Sequence, residues 1–240
     1  LIKIKVEACG ICGSDIRYLH GENPWALHTL GENRPNPPNI VLGHEYCGTV
    51  LESPDRMYEY LVGQRIAVFA YRPCAVCYMC KTGRENLCPN TIHMGHGAGW
   101  GVRDYYPGGM AEYGLAWGDF AYPLPDTISS EEAALLDVLG VGCHATDVGR
   151  IVPGEPAAIL GCGPIGAAIL QFARLAGASP IFVTDVYEKA LSIASETGAD
   201  KAIHAEREDA AHIIIECTKG RGCSSVFDTI GTSDTIRQGL

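Results

Sequence analysis

The chain has 240 residues, 47% of them hydrophobic and 19% charged, with a formal net charge of −10. That length holds one large domain or two small ones with substantial cores, and the acidity argues against a nucleic-acid or anionic-membrane surface. No apolar run approaches a membrane span, and eleven cysteines, several at C-x-x-C spacing, point to metal sites and free thiols in a reducing compartment, the cytoplasm, rather than to disulfides.

In chain order, Leu1–Val6 (LIKIKV) alternates like a strand already in progress. With no initiator Met ahead of it, a targeting segment before Leu1 stays open. Residues 1–125 read as β-rich, with short alternating runs at Ile40–Leu42, Gly48–Glu52, Arg65–Ala70 and Ala111–Ala116 between Gly and Pro clusters. Glu22 to Asn39, rich in Pro and Asn, reads as loop. From Ser129 the pattern turns helical. Ser129 or Ser130 can cap this helix, and Glu131 and Glu132 sit in its first turn, where the helix dipole favours acids. Strands at 157–160, 181–184, 201–204 and 225–228 then alternate with helices at 164–176, 186–197 and 206–219. That alternation predicts a parallel, doubly wound sheet. The expected organisation is an α/β chain with a β-rich domain over 1–125 and a dinucleotide-binding domain over 126–240. Four strands of a six-strand fold are present, and Leu240 stops inside an apparent helix, as in a truncated fragment.

The second half turns on Ala157–Asp185. Gly161-Cys162-Gly163-Pro164-Ile165-Gly166 follows the first strand directly and fits G-x-G-x-x-G. Gly161 permits the tight turn, Gly163 lets backbone approach a pyrophosphate, and Gly166 lets helix pack closely on strand. The helix that begins at Pro164 and Ile165 offers free N–H groups to phosphates. Asp185, nineteen residues after Gly166, can accept hydrogen bonds from a ribose diol. A 2′-phosphate there would meet a like charge, so NAD is expected over NADP. Lys189 is the nearest following cation.

Two constellations carry metal-ligand chemistry. Cys74, Cys77, Cys80 and Cys88, with spacers of two, two and seven residues, suit one tetrahedral zinc in a lobe with no evident apolar core of its own. Four independent thiols or an iron–sulfur cluster are the competing readings. Only Arg72, Lys81 and Arg84 are basic there, which disfavours a nucleic-acid-binding ribbon. The second set is dispersed: Gly10-Ile11-Cys12-Gly13-Ser14-Asp15 and Gly43-His44-Glu45. Cys12 and His44 offer a thiolate and an imidazole, and Asp15 can fix the second nitrogen of His44. On their own, these residues read equally well as a buried thiol and a core histidine.

Taken in order, GICGSD, GHE, the four-cysteine lobe, GGMAEY at Gly108–Tyr113 and LGCGPIG resemble the zinc-dependent medium-chain dehydrogenases, nearest the sorbitol and threonine dehydrogenase branch. The resemblance covers essentially the whole chain. It implies a GroES-like catalytic domain, a Rossmann domain, and two zincs per chain, one catalytic and one structural. Cys12 and His44 match the first two catalytic ligands. Glu45 matches an acid beside the metal that ligates it in some members. Ser14 matches the hydroxyl that takes the substrate's proton. Cys74, Cys77, Cys80 and Cys88 match the structural site, and Asp137 stands at the third catalytic ligand, where Cys or Glu is usual. Arg17 stands where polyol dehydrogenases often have His, and arginine cannot relay a proton by titration. A homo-oligomer, dimer or tetramer, is also implied.

The implied reaction is hydride transfer between a secondary alcohol, a polyol or sugar alcohol, and NAD. A threonine-type amino alcohol and a non-catalytic zinc-binding relative are the alternatives. Tyr18, Trp25, His93, His96, Trp100 and Met110 are candidates for lining a substrate pocket, within or beside a stretch at Thr91–Gly109 that reads equally well as surface loop.

Overall fold

The computed structural model describes residues 1–36, 39–96 and 105–239. The chain divides into two compact units, Leu1–Asp137 and Val138–Leu240.

The first unit runs β1 (Ile2–Cys9), α1 (Gly13–Leu19), α2 (Pro24–Leu30), β2 (Glu45–Glu52), β3 (Arg65–Phe69), β4 (Tyr71–Arg72), α3 (Tyr78–Lys81), β5 (Ile92–His93), β6 (Tyr113–Ala116), β7 (Ala121–Pro123) and α4 (Ser130–Ala134). Five strands form one antiparallel sheet in the order β6-β1-β2-β3-β7, and β4 pairs with β5. The alternation of LIKIKV is realised: Ile2 and Ile4 are buried, while Lys3 and Lys5 face solvent. Those isoleucines join Tyr46, Val50, Leu61, Ile66, Met94 and Trp117 in one core. Each such side chain, fully buried, contributes about 1.5–3 kcal/mol. Tyr46 can sit there because its hydroxyl donates to the Leu115 carbonyl at 2.6 Å.

A register shift between Val6 and Ala8 bends the end of β1. Opposite it, a Cβ on Gly48 would lie 2.1 Å from the Lys5 carbonyl oxygen, so only glycine lets the strands approach this closely. The bend carries the chain past Cys9, which pairs with Tyr46, to Gly10, whose N–H donates to the Glu45 carbonyl at 2.7 Å. This brings the segment leading to Cys12 against the start of β2, where His44 and Glu45 stand.

Three details differ from the sequence reading. Residues 40–42 form no strand: the Val41 and Leu42 carbonyls accept isolated bonds from Gly108 and Met110, and the Val41 N–H turns to the Tyr105 hydroxyl at 2.5 Å instead of to a strand partner. The Pro/Asn-rich stretch contains α2: the Asn23 side chain accepts from the Ala26 N–H at 3.0 Å, and Pro24 occupies the first turn. Those two residues are helix-start signals as much as loop signals. Helix α4 packs on β1 and β2, so residues after Pro125 remain with the first unit. Its cap is as expected, with Ser129 and Glu132 bonding reciprocally.

Helix α5 (Leu136–Gly149) leads into the second unit, followed by β8 (Ala157–Leu160), α6 (Pro164–Leu175), β9 (Ile181–Asp185), α7 (Glu188–Thr197), β10 (Lys201–His204), α8 (Ala210–Cys217), β11 (Ser225–Asp228) and α9 (Ser233–Gly239). The strands are parallel in the order β10-β9-β8-β11. Ile159, Ile181 and Val183 pack with Leu170 and Ala173 of α6 and Ala194 of α7. Ala158, Phe182 and Ile203 pack with Ala210 and Ile214 of α8 in a separate cluster. Helices on both faces explain why these strands read as continuous apolar runs rather than alternating ones. Among the described residues no helix is long and apolar enough to cross a membrane.

Candidate functional site

The four cysteines of the lobe converge. The Cys77 sulfur lies 3.5 Å from that of Cys80 and 3.8 Å from that of Cys88, and Cys74 and Cys80 are 4.0 Å apart. Zinc–sulfur bonds of about 2.3 Å in a tetrahedron separate sulfurs by about 3.8 Å, so this set fits a Cys₄ zinc. Backbone N–H groups of Cys77 and Cys74 point at the sulfurs of Cys74 and Cys88, each at 3.4 Å. The N–H groups of Val76 and Cys77 draw the Cys74 thiol down to about 6, while burial and the neighbouring thiols push Cys80 up to about 12. Four sulfurs this close cannot all ionise by themselves, and a divalent cation removes that conflict.

Cys12, His44 and Glu45 form the second cluster, each offering a ligand atom within 4.8 Å of the others'. Cys12 precedes α1, and the Asp15 carboxylate accepts its N–H at 2.8 Å. The other Asp15 oxygen faces His44 Nδ1 at 3.9 Å. Both facing atoms are buried and have no hydrogen-bond partner among the described residues, and the same holds for Ser14 Oγ. A hydrogen bond from His44 lowers the Cys12 thiol's pKa more than burial raises it. Burial opposes the charged form of His44, but Cys12, Asp15 and Asp137 together raise its pKa. Burial, first of all, raises Glu45, with Asp137 and Asp15 adding to it and His44 opposing. Asp137 is raised by burial and opposed only by His44. A buried pocket that gathers a thiol, an imidazole and several acids, and strains to keep those acids ionised, suits a divalent cation.

Asp137 stands outside the 4.8 Å set but lines the same cavity as His44. This cavity, about 470 Å³, is also walled by Phe69, Tyr71, His93, His96, Phe120, Glu85 and Asn86. The His96 ring lies on that of His44, centroids 4.0 Å apart at 31°. Burial first, then His44 and His93, hold His96 well below the usual histidine range, so it is neutral. Tyr71 and Trp25 meet His93 edge-on, and Tyr18 meets His96 in the same way. Met110 packs near Gly43, and Trp100 lies outside the described residues. Arg17 turns outward to pair with Glu22 at 2.7 Å. Phe69, Tyr71, Glu85, Asn86 and Phe120 carried no sequence signal, since nothing in their spacing foretells a shared wall.

In the second unit Gly161 takes φ +91°, and a Cβ on Gly166 would stand 2.0 Å from the Gly161 carbonyl oxygen. Gly163 caps α6, nothing stands where its Cβ would be, and Pro164 and Ile165 open the helix. That leaves an open backbone cradle suited to a pyrophosphate. Asp185, at the end of β9, accepts from the N–H of Cys162 at 2.8 Å on one oxygen and of Tyr187 at 2.9 Å on the other. Its carboxylate is thereby fixed, with an acceptor lone pair to spare on each oxygen. Lys189 is exposed on α7.

Comparison with known proteins agrees with both halves. Residues 1–126 match the family model of the alcohol dehydrogenase GroES-like domain, and residues 164–240 that of the zinc-binding dehydrogenases. The chain is 35% identical over 239 residues to the uncharacterized zinc-type alcohol dehydrogenase-like protein YdjJ of Escherichia coli K12, covering 99% of this chain and 65% of that protein. It is 33% identical over 239 residues to sorbitol dehydrogenase of Bacillus subtilis, covering 100% and 64%. A solved structure of a proposed zinc-binding dehydrogenase of Sinorhizobium meliloti 1021, bound to NADP, superposes with a TM-score of 0.83 at 32% identity, over 99% of this chain and 65% of that one. The chain thus spans about two-thirds of the length of each.

Proposed function

Since the chain belongs to the zinc-dependent alcohol dehydrogenase family, we propose that its protein oxidises a secondary alcohol of the polyol class, with NAD as hydride acceptor, and runs the reverse reduction. The observation that carries this reading is the Cys12–His44–Glu45 cluster, whose His44 lines one cavity together with Asp137. When bound, zinc supplies Lewis acidity toward the substrate oxygen, and the nicotinamide exchanges the hydride.

The chain's own residues do the rest. Cys12 and His44 would hold the metal with one carboxylate, that of Asp137 or else of Glu45, which leaves a fourth position for the substrate oxygen. Asp15 would keep the proton of His44 on Nδ1 and so keep Nε2 basic. The Ser14 hydroxyl, buried two residues from Cys12, would accept the substrate's hydroxyl proton. Arg17 is engaged at the surface with Glu22, so the onward path of that proton runs elsewhere. Phe69, Tyr71 and Phe120 narrow the cavity and limit water. The Gly161–Gly166 loop would take the pyrophosphate and Asp185 the adenosine ribose, with Lys189 at the rim. The described cavity lining contains the carboxyl groups of Glu85 and Asp137 and no Lys or Arg, which favours a neutral polyhydroxy substrate over a phosphorylated one. The eleven free cysteines fit a reducing compartment such as the cytoplasm, and a homo-oligomer follows from the family resemblance.

The test is a panel of polyols, simple alcohols and L-threonine with NAD and with NADP, following absorbance of the reduced nicotinamide, alongside metal analysis. Two zincs per chain and the highest kcat/KM on a polyol with NAD support the reading. Preference for threonine would move the substrate class, and one zinc with no turnover would indicate a binding protein.

A further inference from the structure

Gly10 belongs to no ligand set, but it lies directly against Glu45. An added Cβ there would stand 2.3 Å from Glu45 Oε2 and 3.1 Å from Glu45 Cβ. The conformation of Gly10 does not require glycine, because its φ lies outside the positive range that L side chains avoid. What glycine provides here is space, and the occupant of that space is the carboxylate of Glu45. The Gly10 N–H also donates to the Glu45 carbonyl at 2.7 Å, which holds the two backbones side by side. The movable part is the Glu45 side chain, whose carboxylate is the far end of a flexible arm.

We propose that Gly10 is a positioning residue for the zinc site: the absence of a side chain there lets the Glu45 carboxylate lie back against β1 within ligand distance of Cys12 and His44. This inference rests on the zinc reading of the cluster. A methyl group at Gly10 would turn the carboxylate out of the set without unseating β1 or β2. It would therefore act on metal affinity through Glu45 and leave the sheet and the Cys₄ lobe as they are. Partners that orient metal ligands typically change affinity by about 10–100-fold when altered.

The experiment is a double-mutant cycle on the zinc-loaded protein, comparing wild type, Gly10→Ala, Glu45→Ala and the double variant. Affinity at the second zinc site is read by chelator competition, with total zinc and Tm measured in parallel. Expected are a loss of about tenfold or more for Gly10→Ala in the wild-type background, no further loss when it is added to Glu45→Ala, and an unchanged first zinc. Unchanged affinity in Gly10→Ala, or an equal loss in both backgrounds, overturns the inference. So does a Gly10→Ala protein that fails to fold while the double variant folds, since the contact would then serve the fold rather than the site. A wild type that holds only one zinc removes the zinc reading itself, an outcome distinct from two zincs with Gly10→Ala indifferent.

Discussion

His44 Nδ1 faces Asp15 Oδ1 at 3.9 Å, and among the described residues neither buried atom has a hydrogen-bond partner. The same Asp15 holds the N–H of Cys12 with its second oxygen. One carboxylate thus addresses both Cys12 and His44, from residues far apart in sequence. Asp15→Asn should keep the bond to Cys12 but offer His44 a neutral amide. The second zinc should then bind about 10–100-fold more weakly, with the Cys₄ zinc retained. Chelator competition reads this, and wild-type affinity in the variant would show that Asp15 is only a cap for α1.

Asp137 and Glu45 compete for the carboxylate role. Asp137→Asn preserves shape and removes charge. It should lose most of the second zinc and most turnover while binding NAD normally, as measured by metal analysis and cofactor titration. Two tightly held zincs with near-normal turnover would leave the role to Glu45.

The same acids give a pH signature. Both carboxyl groups are raised in the metal-free fold, chiefly by burial. The folded state therefore holds their protons to higher pH than the unfolded chain does. Their contribution to stability is present at low pH and is lost as pH rises from the ordinary carboxylate range, near 4, through the raised values. Zinc needs them ionised, so it should reverse this trend. Thermal melts of metal-free and zinc-loaded protein across that range should diverge as pH rises, and parallel curves would count against the assignment.

Cofactor choice should follow Asp185. Asp185→Ser removes the like charge that a 2′-phosphate would meet, so the ratio of kcat/KM with NADP to that with NAD should rise roughly tenfold, about 1.4 kcal/mol. The variant also deprives the Cys162 and Tyr187 N–H groups of their acceptor, so Tm should fall. Taking the ratio of the two cofactors separates preference from that general loss. An unchanged ratio would mean that another group reads the ribose.

The lobe should depend on its metal. Cys77→Ser interrupts a set whose sulfurs are 3.5–4.0 Å apart. Scanning calorimetry should show Tm lower by roughly 5–10 °C, the effect of losing about 2–3 kcal/mol in a chain of this size. Because Glu85 and Asn86 belong to the lobe and line the cavity, KM for a polyol should rise as well. A loss of Tm with unchanged KM would separate the lobe from the substrate.

Local chemistry made much of this molecule legible in its sequence. The glycine loop, the Ser129 cap and the four cysteines each act within a short stretch of chain, where spacing alone decides what neighbours what. The parallel sheet was legible as well, because strands covered on both faces must be apolar throughout. Other features were not readable in this way. Asn23 and Pro24 begin a helix rather than a loop, since either residue suits both, and the packing of α2 settles it. Residues 40–42 form no strand, since a strand requires a partner that the local pattern does not name. Only the folded chain brings Cys12 to His44 and Glu45, through the bend in β1 opposite Gly48, and only it shows that the space beside Gly10 is filled by the Glu45 carboxylate. Close approach across a sheet depends on register, and the register is fixed by the whole core rather than by any one stretch of chain.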